Sequence, residues 1–352
     1  MNKPWQDKLR RIAPYVPGEQ PKNPDIIKLN ANENPYPPSP RVTDVLRRFE
    51  TGRLRKYPDA NSGVLRAALS KHFGLAGDRI FMGNGSDDVL ALCFQAFFCS
   101  DKPVLYPDLT YSFYPVWCSL FRTPYETIPV DENFRIHPED YDRPNGGVIL
   151  PNPNAPTSIG EGLDFVERLL KGNPDSVVLI DEAYVDFGCA SAVPLLDKYE
   201  NLVVVQTMSK SRSLAGLRVG FALASPELIG TLEAVKNSYN SYTMDMITLE
   251  AAAASVEDDA YFRSTCAKIV ATRARSIDVL RELGFQVIDS LANFLLVTHP
   301  KKSARELFDA LKKRGIFVRY FHVPRVDNHL RITIGTDAEM DALFAALGQI
   351  LA

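Results

Sequence analysis

No apolar run in this chain is long enough to cross a bilayer, and Met1-Asn2-Lys3-Pro4-Trp5-Gln6-Asp7-Lys8 carries charges where a signal peptide needs its apolar region. A cytoplasmic protein with no membrane partner is expected. The formal net charge is only -3, which gives no footprint for nucleic acid. Cysteine is scarce and unpaired in pattern: Cys93, Cys99, Cys118, Cys189 and Cys266 are an odd set without a CxxC, as free thiols in a reduced compartment would be. His72, His137, His299, His322 and His329 lack HExxH or any other close metal-ligand spacing, so a zinc site has little support. The Gly-x-Ser-x-Gly elbow of serine hydrolases is missing, as are internal repeats and low-complexity tracts.

What is present is the ordinary balance of a globular protein, 45% hydrophobic and 24% charged over 352 residues, long enough for two domains. Eight prolines from Pro14 to Pro40 interrupt any helix in the first forty residues, so 1–40 is expected to be an arm ordered by lying across other structure. From there to about 245, short apolar runs alternate with amphipathic segments: Ile80–Met82, Val104–Tyr106, Val148–Leu150, Val177–Ile180, Leu202–Val205 and Val219–Leu223. Runs without polar alternation imply strands buried on both faces, hence an α/β domain with a mainly parallel sheet wrapped by helices. Met246 to Leu283, rich in Ala, Glu, Arg and Leu, predicts one long or broken helix leading into a smaller α+β domain, 246–352. Phe294–Val297, Ile316–Val318 and Leu330–Ile334 are its expected strands and Ala304–Arg314 its helix.

In open α/β sheets ligands bind beyond the carboxyl ends of the strands, so the residues just after each run carry the functional information. After Leu202–Val205 comes Thr207-Met208-Ser209-Lys210-Ser211-Arg212-Ser213-Leu214-Ala215-Gly216-Leu217-Arg218-Val219-Gly220. A lone lysine is ordinarily a solvated cation. Held at a strand end, desolvated and near another cation, its amine can titrate low enough to condense with an aldehyde, and Ser209 and Arg218 can grip a phosphate beside it. The pair of demands suggests pyridoxal phosphate. Gly83-Asn84-Gly85-Ser86-Asp87-Asp88 opens a helix whose free amides favour an anion, although a plain capped turn has the same pattern. After Val177–Ile180 comes Asp181-Glu182-Ala183-Tyr184. A carboxylate at that depth needs a partner, which a protonated pyridine nitrogen would be, and Tyr184 could donate to the ring oxygen. Pro151-Asn152-Pro153-Asn154-Ala155-Pro156-Thr157 is a stiff turn able to aim an asparagine at a ring hydroxyl, and Tyr111 follows the strand at Tyr106 and could stack on the ring.

These motifs resemble the fold-type I pyridoxal phosphate aminotransferases, and among them the histidinol-phosphate aminotransferase family, from Tyr15 to Gly335. The resemblance implies a seven-stranded, mainly parallel sheet. It puts the Schiff-base lysine on Lys210, the cofactor phosphate on Ser209, Arg218 and the helix-start amides of Ser86 and Asp87, and Tyr111 over the ring. Asp181 falls on the pyridine nitrogen and Tyr184 on the ring oxygen. Tyr57, in Arg55-Lys56-Tyr57-Pro58-Asp59, matches the tyrosine that reaches the neighbouring subunit's phosphate, which implies a homodimer with shared sites. Tyr15, Asn32, Asn293, Arg319 and Arg331 match substrate-site signatures, the arginines as bidentate forks for carboxylate or phosphate. Two positions depart from the family pattern. Asn154-Ala155-Pro156-Thr157-Ser158 stands where Asn-Asn-Pro-Thr-Gly is usual, so Asn154 or Asn152 has to serve if the ring-facing asparagine is the one before proline. Asp88 replaces the usual glutamate of Gly-Ser-Asp-Glu.

The implied reaction takes an amino group from glutamate to imidazole-acetol phosphate, giving histidinol phosphate and 2-oxoglutarate. An aromatic amino-acid aminotransferase and a threonine-phosphate decarboxylase share the scaffold. A non-catalytic pyridoxal-binding regulator would normally carry a DNA-binding domain ahead of it, where this chain has a short Pro-rich arm.

Overall fold

Strands that lack polar alternation become, as expected, a sheet covered on both faces. The computed structural model describes residues 3–16, 18–21, 23 and 25–352; Met1, Asn2, Pro17, Lys22 and Pro24, two of them prolines of the expected arm, lie outside the described residues. In chain order the elements begin with β1 (Ile27–Lys28), α1 (Pro40–Arg48), α2 (Gly63–Phe73), β2 (Ile80–Gly83), α3 (Ser86–Phe97) and β3 (Val104–Pro107). Next come α4 (Tyr114–Phe121), β4 (Tyr125–Ile128), β5 (Gly147–Pro151), α5 (Leu163–Gly172), β6 (Val178–Asp181), β7 (Leu202–Thr207), β8 (Gly220–Ala224) and α6 (Pro226–Tyr239). The chain finishes with α7 (Met246–Glu257), α8 (Asp259–Glu282), β9 (Gln286–Val287), β10 (Phe294–Thr298), α9 (Ala304–Lys313), β11 (Ile316–Phe317), β12 (Arg319–Tyr320), β13 (Leu330–Thr333) and α10 (Asp337–Leu351).

The large sheet has seven strands in the order β2-β8-β7-β6-β5-β3-β4, and only β8 runs against its neighbours. Six of the seven are the apolar runs read from sequence. The seventh, β4, escapes that reading because three of its four residues are exposed at the sheet edge. One face packs on α1, α2, α5 and α7, the other on α3, α4 and α6. Val203, Val204 and Val205 of β7 are fully buried, each contributing about 1.5–3 kcal/mol relative to exposure. This burial holds the end of β7, and so Lys210, in place.

The expected long helix is broken at Asp258, whose carboxylate caps α8 by accepting from the Tyr261 amide. Helix α7 buries Leu249, Ala251, Ala252, Ala253 and Val256 in the core of the large sheet, whereas α8 buries Cys266, Ile269 and Leu280 in a second core. That second core is covered by an antiparallel sheet in the order β12-β13-β10-β9 together with α8, α9 and α10. The Ile316–Val318 run does not join it. Its β11 pairs in parallel with β1, so the arm, read as loop from its prolines, contributes a strand that ties it to the small sheet. Leu29, buried in the second core, extends the tie: its amide donates to Phe317 at 2.7 Å and its carbonyl accepts from the Thr333 amide at 3.0 Å.

Candidate active site

Lys210 lies just past β7, where the parallel strands end. Its amine donates to the carbonyl of Ala31 at 3.1 Å and, among the described residues, forms no ion pair with a carboxylate. Burial pushes that amine down to about 8, and the Arg331 guanidinium adds to the push. The amine is therefore available in its neutral, nucleophilic form near physiological pH, which a surface lysine is not.

Asp181 closes β6 and is 4% exposed. Tyr114 Oη donates to its Oδ2 at 3.1 Å and the Ala183 amide to its Oδ1 at 3.2 Å. Desolvation outweighs both bonds and raises the carboxyl to about 6. A cationic partner would restore the charge, and among the described residues none lies within bonding distance. The next acid, Glu182, points to the opposite face of the strand. It accepts from Ser191 Oγ at 2.7 Å, the Ala192 amide at 2.6 Å and Gln206 Nε2 at 2.8 Å, a structural clamp. Of two adjacent carboxylates only Asp181 is left for chemistry. Tyr184 Oη accepts from Asn32 Nδ2 at 2.9 Å, and burial raises its phenol against the opposing pull of Arg331.

The anion cradle forms where α3 starts. Gly85 has φ 88, and a Cβ there would meet Arg218 Nη2 at 2.4 Å; a Cβ on Gly220 would meet the Ser86 amide at 2.3 Å. Both glycines let the backbone come close. No side-chain hydrogen bond caps α3 at Gly85, so the first amides, at Ser86 and Asp87, and the positive end of the helix behind them suit an anion. Arg218 donates to Ser209 Oγ at 3.4 Å and pairs with Asp87 at 3.2 Å. Asp87 Oδ1 also accepts from Tyr111 Oη at 2.8 Å, which fixes the ring expected to stack on a cofactor.

The opposite wall comes from the arm and the small sheet. Arg319 and Arg331 are direct cross-strand partners on β12 and β13, and both guanidinium carbons lie 5.6 Å from the centre of the Phe321 ring. Like charges directly opposite each other repel, a cost that a bound anion relieves. Arg331 Nη2 donates to the Asn30 carbonyl at 3.0 Å, but among the described residues its buried Nε has no partner, nor has Asn293 Oδ1. Three consecutive arm residues thus touch three site groups: Asn30 holds Arg331, Ala31 holds Lys210, and Asn32 holds Tyr184. Tyr15 stacks on Phe113 at 4.4 Å and lies 6.4 Å from Tyr111, bringing the start of the arm to the same place.

Two expected residues stand apart. Asn154 donates from Nδ2 to the Leu109 carbonyl at 2.9 Å and accepts at Oδ1 from Thr110 Oγ1 at 3.2 Å, so it braces the loop that carries Tyr111. Asn152 is likewise engaged, with Glu161. Tyr57 is 80% exposed and stacks on Tyr242 at 4.6 Å, a large ring facing outward. Tyr114 escapes the sequence reading, as do the hydrogen bonds made by Ala31, Thr333 and Asn34, whose amide donates to the Lys210 carbonyl at 2.9 Å. The alternation Asn30-x-Asn32-x-Asn34 was the available signal, since three amides at period two in a proline-rich arm imply a polar face directed at something.

A phosphorylated pyridine aldehyde requires a neutral amine, an acid for its ring nitrogen and an anion cradle. Lys210, the unpaired buried Asp181 and the uncapped start of α3 with Ser209 and Arg218 meet all three, so the residues fit the group. The family model for aminotransferase class I and II matches residues 24–347. The chain is similar to histidinol-phosphate aminotransferase 2 of Dechloromonas aromatica (strain RCB), 52% identical over 99% of both chains. It is 53% identical to the histidinol-phosphate aminotransferase of Acinetobacter baumannii (strain SDF), over 98% of this chain and 96% of that one. Among solved structures, the histidinol-phosphate aminotransferase from Sinorhizobium meliloti in complex with pyridoxal-5'-phosphate superposes with a TM-score of 0.82 at 27% identity, covering 92% of this chain and 90% of that chain.

Proposed function

The chain belongs to the class I and II aminotransferase family, and from that premise we propose that it moves an amino group between glutamate and imidazole-acetol phosphate, yielding histidinol phosphate and 2-oxoglutarate in histidine biosynthesis. Its cofactor is pyridoxal 5'-phosphate. When bound, this group supplies an aldehyde that takes up amines and a ring that withdraws electrons from the substrate's α-carbon. Ser209, Arg218 and the amides of Ser86 and Asp87 hold its phosphate, Tyr111 covers its ring, and Asn154 acts on the cofactor only through the Tyr111 loop. Asp181 accepts the hydrogen bond of the protonated ring nitrogen. Lys210 Nζ, poised near neutrality, takes the α-carbon proton in one half-reaction and returns one in the other. Tyr184 donates to the ring oxygen.

The observation that carries the substrate assignment is the cross-strand pair Arg319 and Arg331. An aromatic amino acid brings one carboxylate to that wall, which a single guanidinium satisfies. A substrate with a dianionic phosphate neutralises both, and glutamate's second carboxylate uses the same place in the other half-reaction. Asn293, bonded to the Asn32 carbonyl, and Tyr15, beside Tyr111, complete this wall. Tyr57, facing outward, serves the phosphate of a second copy, so the active form is a homodimer with shared sites in the cytoplasm. The arm, the core of the large sheet and the core of the small sheet act as three units, with the arm bridging the other two.

The test is turnover by the purified, cofactor-loaded protein with glutamate and either imidazole-acetol phosphate or phenylpyruvate, following 2-oxoglutarate. The phosphate substrate is expected to give the higher kcat/KM by at least about a hundredfold, the worth of a charge-assisted bidentate contact. Equal or better use of phenylpyruvate, or release of carbon dioxide from threonine phosphate, would overturn the assignment.

A further inference from the structure

A phenol oxygen carries one proton and can accept from others. On Tyr184 one acceptor position is filled by Asn32 Nδ2 at 2.9 Å, and among the described residues nothing accepts the phenol's own proton. The direction of the Asn32 amide is fixed by its neighbours. Thr333 Oγ1 accepts from the Asn32 backbone amide at 2.9 Å, which leaves its hydroxyl hydrogen to donate to Asn32 Oδ1 at 3.1 Å. With Oδ1 so engaged, Nδ2 is the end that meets Tyr184. Asn293 Nδ2 holds the Asn32 carbonyl at 3.0 Å, and Asn32 is 1% exposed with φ 56, a left-handed conformation that asparagine tolerates. The proline turn offers no substitute. Ala155 packs its methyl against Tyr184, Ala292 and Phe294, and the amide of Asn154 is spent on residues 109 and 110.

We infer that Asn32, rather than an asparagine of the 152–154 turn, is the positioning residue that aims the proton of Tyr184 at the ring oxygen of the cofactor. Asn32 is then part of the cofactor's electronic environment and not a substrate ligand. This rests on the reading that Tyr184 faces that oxygen. By donating to Oη, Asn32 also makes the phenol a stronger acid and a better donor. Aspartate at the same place, isosteric and tolerant of the same φ, accepts instead of donating, so it would capture the phenol's proton. Glycine would delete the donor without backbone strain.

The experiment loads the wild type and the variants Asn32→Asp, Asn32→Gly, Tyr184→Phe and Asn32→Asp/Tyr184→Phe with pyridoxal phosphate and titrates the visible absorption band against pH. A donor to the ring oxygen stabilises its anionic state, so losing it moves the midpoint upward. Tyr184→Phe and Asn32→Asp are each expected to raise it by about one pH unit, the worth of a charge-assisted hydrogen bond, and Asn32→Gly by less. In the Tyr184→Phe background the aspartate should add under half of its own shift. An unmoved midpoint in Asn32→Asp, or its full shift persisting without the phenol, overturns the inference while leaving the transaminase reading intact. An unmoved midpoint in Tyr184→Phe overturns the placement of Tyr184 and the inference together.

Discussion

The two walls of the site are built on different terms. The wall of Ser86, Asp181, Ser209, Lys210 and Arg218 belongs to one sheet, each group one to a few residues beyond a fully buried strand, or beside one. The facing wall of Tyr15, Asn30, Asn32, Asn293, Arg319 and Arg331 is drawn from separated segments that meet because β10 and β12 both pair with β13, β1 pairs with β11, and Leu29 bonds to Thr333. On the first wall most side chains have partners, Arg218 with Asp87 among them, while among the described residues Asp181 has no cation and the first amides of α3 have no cap. On the second, two arginines oppose each other and, among the described residues, Arg331 Nε and Asn293 Oδ1 lack partners. The open capacity of the first wall is a carboxylate without a cation and helix amides without an anion, whereas that of the second is two opposed arginines and hydrogen-bonding atoms that an incoming anion would fill.

The sharpest way to break this division is Lys210→Ala. Removal of the amine should lower transamination by at least roughly a thousandfold, the scale of a lost general acid and base, while equilibrium dialysis still finds the cofactor held by the phosphate cradle. Undiminished turnover would refute the assignment. Arg331→Ala tests the other wall: KM for glutamate and for the phosphate substrate should rise together, with kcat/KM lower by about a hundredfold and cofactor affinity unchanged. A loss of cofactor affinity instead would show that the walls are not separate. The smallest effect expected is on the cofactor-free protein. Asp181 has its carboxyl raised to about 6 from 3.8, so its charged form costs stability above about pH 6, and the cost is relieved as pH falls toward the unfolded value. Asp181→Asn keeps an acceptor for Tyr114, so at pH 8 it should stabilise the cofactor-free protein by on the order of 2 kcal/mol, seen as a higher Tm that vanishes near pH 4. An unchanged Tm at pH 8 would mean that the carboxylate already has a partner.

The first wall was readable because strand and function share short stretches of chain. Lys210 and Arg218 lie eight residues apart in one motif, and Asp181 ends an unbroken apolar run, so periodicity alone places them at the sheet's rim. Strand β4 was missed for the converse reason: an edge strand with an exposed face lacks an apolar run. The partners of Asn32 could not be read from sequence, where it stands among substrate-site signatures: its amide is engaged by Tyr184 and Thr333, 152 and 301 residues away. The resemblance likewise pointed to Asn154 for the ring, and the amide has gone to the neighbouring loop.

The order of residues settled which side chains can do chemistry and on which scaffold, because the hydrophobic pattern of a buried parallel sheet and the residues following each strand are local properties of the chain. Which asparagine serves Tyr184, which acid of Asp181 and Glu182 is free, and that two arginines confront one another were decided by folding. Hydrogen-bond direction, desolvation and like-charge proximity arise only when distant segments share one buried volume, and no stretch of the chain carries them alone.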